Sequence, residues 1–205
     1  MLKLAGVVAF TLFLFAEFAA AQDTRFSASI NAGDVITSQT QGNGITQNAT
    51  QSLNILVTAR MRIAPKCALE VNYGRADNSQ KYDAPPYQVR IQDEITEFSG
   101  DFVLSPYKRG KITTFALIGG GVLYFGPTAT LIDEIPQTFS DSRQTRTAVL
   151  YGVGADYKLL SRFALRLQYR GLFYTPPDFK VSVVGLFTGG HAQMAEPSVG
   201  LVFKF

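Results

Sequence analysis

Apolar and polar side chains alternate with a period of two through segment after segment of this chain. After the first twenty or so residues, no stretch has the roughly twenty consecutive apolar residues a membrane helix needs. Period two puts successive side chains on opposite faces of a strand, so these segments cannot be amphipathic helices. In the N-terminal half Phe26, Ala28 and Ile30 oppose Ser27, Ser29 and Asn31. Leu53, Ile55, Val57, Ala59 and Met61 oppose Asn54, Thr58, Arg60 and Arg62. Leu69, Val71 and Tyr73 oppose Glu70, Asn72 and Gly74, and Phe98, Phe102 and Leu104 oppose Glu97, Ser99 and Asp101.

The C-terminal half continues the pattern. Phe115, Leu117, Leu123 and Phe125 read as one face against Thr114, Ala116, Gly120 and Tyr124. Val149, Tyr151, Val153, Ala155 and Tyr157 oppose Gly152, Gly154, Asp156 and Lys158. Phe163, Leu165, Leu167, Tyr169 and Phe173 oppose Ala164, Arg166, Gln168 and Arg170. Val199, Leu201, Phe203 and Phe205 oppose Ser198, Gly200 and Lys204. That makes eight strands, an even number as closed antiparallel bacterial barrels require, and the expected fold is an all-β, eight-stranded antiparallel transmembrane β-barrel.

The connections alternate in length. Short ones fall at Ala64-Pro65-Lys66, Pro106-Tyr107-Lys108-Arg109-Gly110 and Leu160-Ser161-Arg162. Long polar ones are expected over residues 34–50, 76–94, 127–146 and 175–195. Three short turns on the side of the termini and four long loops on the other suit a barrel with periplasmic turns and extracellular loops.

The N-terminus has a charged start at Lys3, an apolar run from Leu4 to Phe15 and small residues at Ala19-Ala20-Ala21. That is the layout of a secretory signal peptide rather than a single membrane anchor, because the apolar run is short for a bilayer core of about 30 Å. The expected organisation is a signal peptide over residues 1–21 and one barrel domain over residues 22–205. The single cysteine, Cys67, allows no internal disulfide and reads as a small residue at a turn. The net charge of +3 carries no Lys/Arg run along the sequence, so nucleic-acid binding has no support.

Alternation also suits a soluble lipocalin-like barrel with the apolar face inward. Two features favour the inside-out arrangement: there is no tryptophan-capped or cysteine-stapled pattern, and aromatics gather towards strand ends. Phe163, Phe203 and Phe205 gather on the turn side, and Tyr73, Phe125 and Phe173 towards the loops, as interfacial girdles require. The polar face then lines a lumen only wide enough for side chains. Arg60, Arg62, Arg166 and Arg170 would oppose Glu70, Glu97 and Asp101 there, with Asp156 and Lys158 nearer one end. Charges withdrawn from water need partners, so these residues are expected to bridge and obstruct the lumen.

On these residues the chain resembles the small outer-membrane β-barrel family that includes OmpA-like and OmpX-like barrels. The resemblance runs over the whole chain after the signal segment and includes the ending Val199-Gly200-Leu201-Val202-Phe203-Lys204-Phe205. It implies a location in the outer membrane of the cell envelope, among lipid and lipopolysaccharide. It also implies that Leu201, Phe203 and Phe205 act as an assembly signal read by the barrel-assembly machinery, with periplasmic chaperones during transit and a monomeric state. No peptidoglycan-binding domain is read after the barrel, so cell-wall anchoring is not implied.

Other motifs point to no chemistry. Gly119-Gly120-Gly121 lacks the helix and Lys-Ser/Thr of a phosphate loop, and Gly152 and Gly154 read as inward positions making space opposite Arg or Tyr. The lone His191 has no Ser partner on a strand, and one His with scattered acids, Asp133, Glu134 and Asp141 among them, gives no metal spacing. No catalytic residue, metal site or cofactor is expected. The stretch 181–187 is more apolar than a solvated loop. Three functions compete: a structural or surface-interaction barrel with a plugged lumen; a narrow porin-like channel for small or apolar solutes, its apolar path lined by Ala116, Ile118 and Val122; and a lipid A-modifying enzyme.

Overall fold

The computed structural model describes residues 25–85, 87–133, 135–137, 143–177, 179 and 190–205. The expected signal peptide, Glu134, Asp141 and the apolar stretch 181–187 lie outside the described residues. The strands are β1 (Phe26–Thr37), β2 (Thr40–Gly42), β3 (Ile45–Ala49), β4 (Ser52–Ala64), β5 (Cys67–Ala84), β6 (Tyr87–Arg109), β7 (Ile112–Ile132), β8 (Ile135–Gln137), β9 (Gln144–Lys158), β10 (Phe163–Tyr174) and β11 (Ala192–Lys204).

Eight of them form a closed antiparallel ring in the order β1-β4-β5-β6-β7-β9-β10-β11. First and last strands close it, from Ser27 opposite Lys204 to Thr37 opposite Met194. Closure leaves no strand edge in the ring, so backbone donors and acceptors find partners without water. The short turns fall at Pro65–Lys66, Gly110–Lys111 and between Lys158 and Phe163. A register shift between Leu104 and Tyr107 absorbs Pro106, which has no N–H to give the ladder.

At the other end three of the four expected long loops are largely sheet among the described residues. Residues 76–94, read as a loop, are the upper part of a β5–β6 hairpin whose pairing runs from Cys67↔Leu104 to Ala84↔Tyr87. Residues 127–132 continue β7, and β8 folds back onto them. Within 34–50, β2 and β3 form a hairpin at Asn43-Gly44, both at positive φ as a tight primed turn requires, and β3 joins the outer part of β5. The polar composition that suggested loops belongs to strands leaving the apolar band.

The apolar face points outward. Leu53 is 77% exposed, Leu167 66% and Val71 63% in the isolated chain, an apolar surface far larger than a soluble monomer carries. Aromatics ring it at two levels. Tyr73, Phe98 and Tyr124 form a chain with centroids 5.0 and 6.0 Å apart towards the long end. Phe163, Phe203 and Phe205 do so towards the turns, at 5.1 and 4.8 Å.

The face of β7 is the reverse of the expected one. Phe115, Leu117, Leu123 and Phe125 are buried inside the barrel, while Ala116, Ile118 and Tyr124 are exposed outside. Both faces of this strand are apolar, so its period carried no contrast, and only the register with its neighbours decides it. An apolar path lined by Ala116, Ile118 and Val122 is therefore excluded, because those residues line the outside, and Phe125 leaves the outer girdle.

The interior has two characters. Towards the turns and mid-barrel it is charged. Towards the long end Ile91, Ile95, Leu123, Phe125, Leu172 and Met194 make an apolar core. Ile118→Arg places a charge midway along the outward face of β7 and should destabilise the barrel by about 2–4 kcal/mol in lipid vesicles, measured by denaturant unfolding. A near-neutral result would put Ile118 back in the lumen.

Candidate functional site in the barrel lumen

Even-numbered residues of β4, β5, β9, β10 and β11 point inward, as do odd-numbered residues of β6 and β7, so charges distant in sequence meet in the lumen. On the turn side, Arg166 grips Asp156 with two bonds, Nε to Oδ1 at 2.8 Å and Nη2 to Oδ2 at 3.1 Å. Arg60 Nε donates to Glu70 Oε2 at 2.5 Å. The two pairs are cross-linked by Arg166–Glu70 at 3.6 Å and Arg60–Asp156 at 3.8 Å. Both guanidinium groups lie over the Phe115 ring, with Cζ 4.5 and 5.0 Å from its centroid, a cation–π arrangement. Gly154 makes room for that ring, since a Cβ there would come within 2.4 Å of Phe115 Cζ.

Deeper in the barrel Arg170, fully buried, sits between Glu97 and Glu196. It forms a short ion pair with Glu97 and a 2.8 Å bond to Glu196. Uncharged side chains meet several of the remaining acceptors, while Glu70 Oε1 and Asp101 Oδ1 stay without a hydrogen-bond partner among the described residues. Asn54 donates to Glu196 at 3.0 Å, Ser99 to Glu97 at 2.6 Å, and Asn72 to Asp101 at 2.6 Å while accepting from Thr58 at 2.8 Å. Gly119 faces Asp101, where a Cβ would come within 2.3 Å of Oδ1. At these two levels three guanidinium groups thus meet five carboxylates, Glu70, Asp156, Glu97, Glu196 and Asp101, and each of the five is buried.

Of the residues expected in the lumen, Arg60, Glu70, Glu97, Asp101, Arg166 and Arg170 come together there. Arg62 does not join them: it is exposed at the turn-side rim, lining a separate mouth. Asp156, expected nearer one end, is a central partner of Arg166. Glu196 was missed because residues 175–195 read as loop and Pro197 masked the strand start. Its even number matches Ser198, Gly200 and Lys204, the parity signal that would have found it. Gly152 lies opposite Arg170 in the register, where a Cβ would press on Leu117 and the Tyr169 carbonyl, whereas Gly154 makes room for Phe115. Among the described residues no group of three or more His, Cys, Asp or Glu is arranged to hold a metal ion.

A closed ring of eight antiparallel strands, apolar outside and charged within, is the architecture of a small outer-membrane barrel. The sequence profile of the outer membrane protein β-barrel domain matches residues 5–201, and the chain belongs to that family. It is a protein of the bacterial outer membrane. Among solved structures, it is similar to neisserial surface protein A (TM-score 0.57, 18% identity, 88% of this chain and 97% of that chain). It is also similar to the outer membrane protein OprG from Pseudomonas aeruginosa (TM-score 0.60, 13% identity, 90% and 97%). At such identities the likeness shows the fold. No curated protein matches the sequence.

Arg170→Met leaves Glu97 and Glu196 buried without their cation and should cost about 3–5 kcal/mol in vesicle unfolding. Adding Glu97→Gln and Glu196→Gln should restore most of it. If the triple variant were no more stable than the single one, the ion pairing would not be what holds this level of the lumen.

Proposed function

We propose that this barrel does not conduct and that its work is structural and interactive, carried out at the outer face. The observation carrying the reading is the obstruction of the lumen by Arg166 and Arg170, 1% and 0% exposed, each held by a carboxylate of an adjacent strand (Asp156, Glu196) and by one from a strand across the lumen (Glu70, Glu97). A solute crossing at that level would have to break charge pairs in a medium where breaking them is costly. The sheet that rises beyond the outer aromatic ring, built from the upper parts of β5, β6 and β7, offers a polar surface to lipopolysaccharide or to ligands outside the cell. The reading keeps the protein monomeric and assigns it no catalysis. His191 is exposed just before β11.

A transport reading draws on one feature. The β7–β9 ladder ends at Phe125↔Gln144, and a cavity of about 450 Å³ lies beside that point, lined in part by Phe98, Tyr124, Phe125 and Pro127. It would suit an apolar solute moving sideways rather than along the axis.

Planar-bilayer recording separates axial conduction from a plug. The wild type should show no stable opening, and Arg166→Ala with Arg170→Ala should raise the frequency of openings. A stable nanosiemens-scale channel in the wild type would overturn the plugged reading.

For assembly, Leu201, Phe203 and Phe205 share the lipid-facing side of β11, and Phe205 N–H donates to Phe26 O at 3.0 Å across the closing strands. We assign them the signal read by the barrel-assembly machinery after chaperoned transit. Phe205→Ala should lower the amount of heat-modifiable protein in outer-membrane fractions while leaving refolding in vitro intact. An unchanged level would remove the assignment.

A further inference from the structure

Although no basic run is visible along the sequence, the fold gathers one. At the periplasmic end the three turns and the strand ends close around a cavity of about 270 Å³. Eight lysines and arginines line it, among them Arg60, Lys66, Lys108, Lys111, Lys158 and Lys204. Among the described residues Asp156 is the only carboxylate in that lining, and it is already gripped by Arg166 through two bonds. Ser27, Ser105, Thr113 and Ser161 add hydroxyl donors. At the floor, Arg60 keeps Nη2 without a hydrogen-bond partner.

We propose that this periplasmic cup is a binding site for a small polyvalent anion of the phosphoryl class. Like charges converging on one cavity repel, and at physiological salt, with a screening length of about 8 Å, they act together rather than singly. The same convergence that costs energy when the cup is empty attracts an anion able to meet several ammonium groups at once. Lysine ammonium groups are compact point charges suited to phosphoryl oxygens, and the arginine forks on the β4 side add directed donors. The volume lies just under the roughly 300 Å³ of small-molecule pockets, so it suits one or two phosphoryl groups rather than a nucleotide. The phosphoryl group could come from a soluble compound of the periplasm or from an anionic phospholipid headgroup of the inner leaflet.

The test uses the full folded barrel in phosphatidylcholine nanodiscs and inorganic pyrophosphate as the probe, followed by titration calorimetry at several salt concentrations. Saturable binding is expected, weakening as salt rises. Lys66→Ala/Lys108→Ala/Lys111→Ala should weaken it about tenfold or more, each removed cation taking away a direct charge contact. These three residues are exposed, Lys66 and Lys111 on turns and Lys108 at the turn-side end of β6, and heat-modifiable migration reports that the variant remains folded. Lys81→Ala/Arg90→Ala, at the opposite end, should leave binding unchanged. Nanodiscs containing phosphatidylglycerol distinguish the sources: weakened pyrophosphate binding there identifies a lipid headgroup as occupant, and unchanged binding identifies a soluble one. Absence of saturable binding in phosphatidylcholine, or equal affinity of the wild type and the triple variant, would overturn the proposal.

Discussion

Hydrocarbon offers no hydrogen bonds, so each peptide group inside it must be paired within the protein. The rest of this molecule depends on that requirement. It forces the sheet to close β1 onto β11, and closure at eight strands fixes a narrow lumen, which side chains largely occupy. The outer face has then to be apolar, so the chain's polar side chains can go only inward or beyond the membrane. The interior charges follow from the same geometry: once three arginines point into a dry lumen, carboxylates must meet them.

The pairing scheme in the lumen also explains its sparing use of bulky side chains. Arg60, Arg166 and Phe115 fill one level, and the space for them is created by Gly154 on the neighbouring strand. Arg170 with Glu97 and Glu196 fills the next. Above them the composition changes to an apolar core of Ile91, Leu123, Phe125 and Met194. The barrel is thus held by ion pairs at mid-depth and by hydrophobic packing towards the outside, two kinds of cohesion that respond differently to salt.

Most of the barrel was legible because one face contrasts with the other. Strands such as β10, with Leu165 and Leu167 against Arg166 and Arg170, declare both period and orientation. Strand β7 declared only its existence, since Phe115 and Ile118 are equally apolar and orientation rests on which neighbour's residue each faces. The tall β5–β6 hairpin was read as loop because Asn78, Gln80 and Lys81 are common in loops, yet Asn78 and Gln80 are buried on the inward face and Lys81 is exposed. Of the lumen, the arginines and the acids on β5 and β6 were readable from parity. Glu196 was hidden by the adjacent Pro197. The basic cup was not legible in sequence because its cations come from strand ends and turns far apart along the chain and meet only after closure.

The outer hairpin carries a mechanical consequence. At roughly 3.3 Å per residue, the part of β6 from Tyr87 to Thr96 lifts its tip above the aromatic ring by more than the depth of one bilayer leaflet. It rises as paired sheet over packed side chains rather than as free chain. A ligand meeting it would encounter a stiff blade already in its final shape, and little ordering entropy would be lost on contact. Such a blade holds its tip at a set height above the aromatic ring by rigidity.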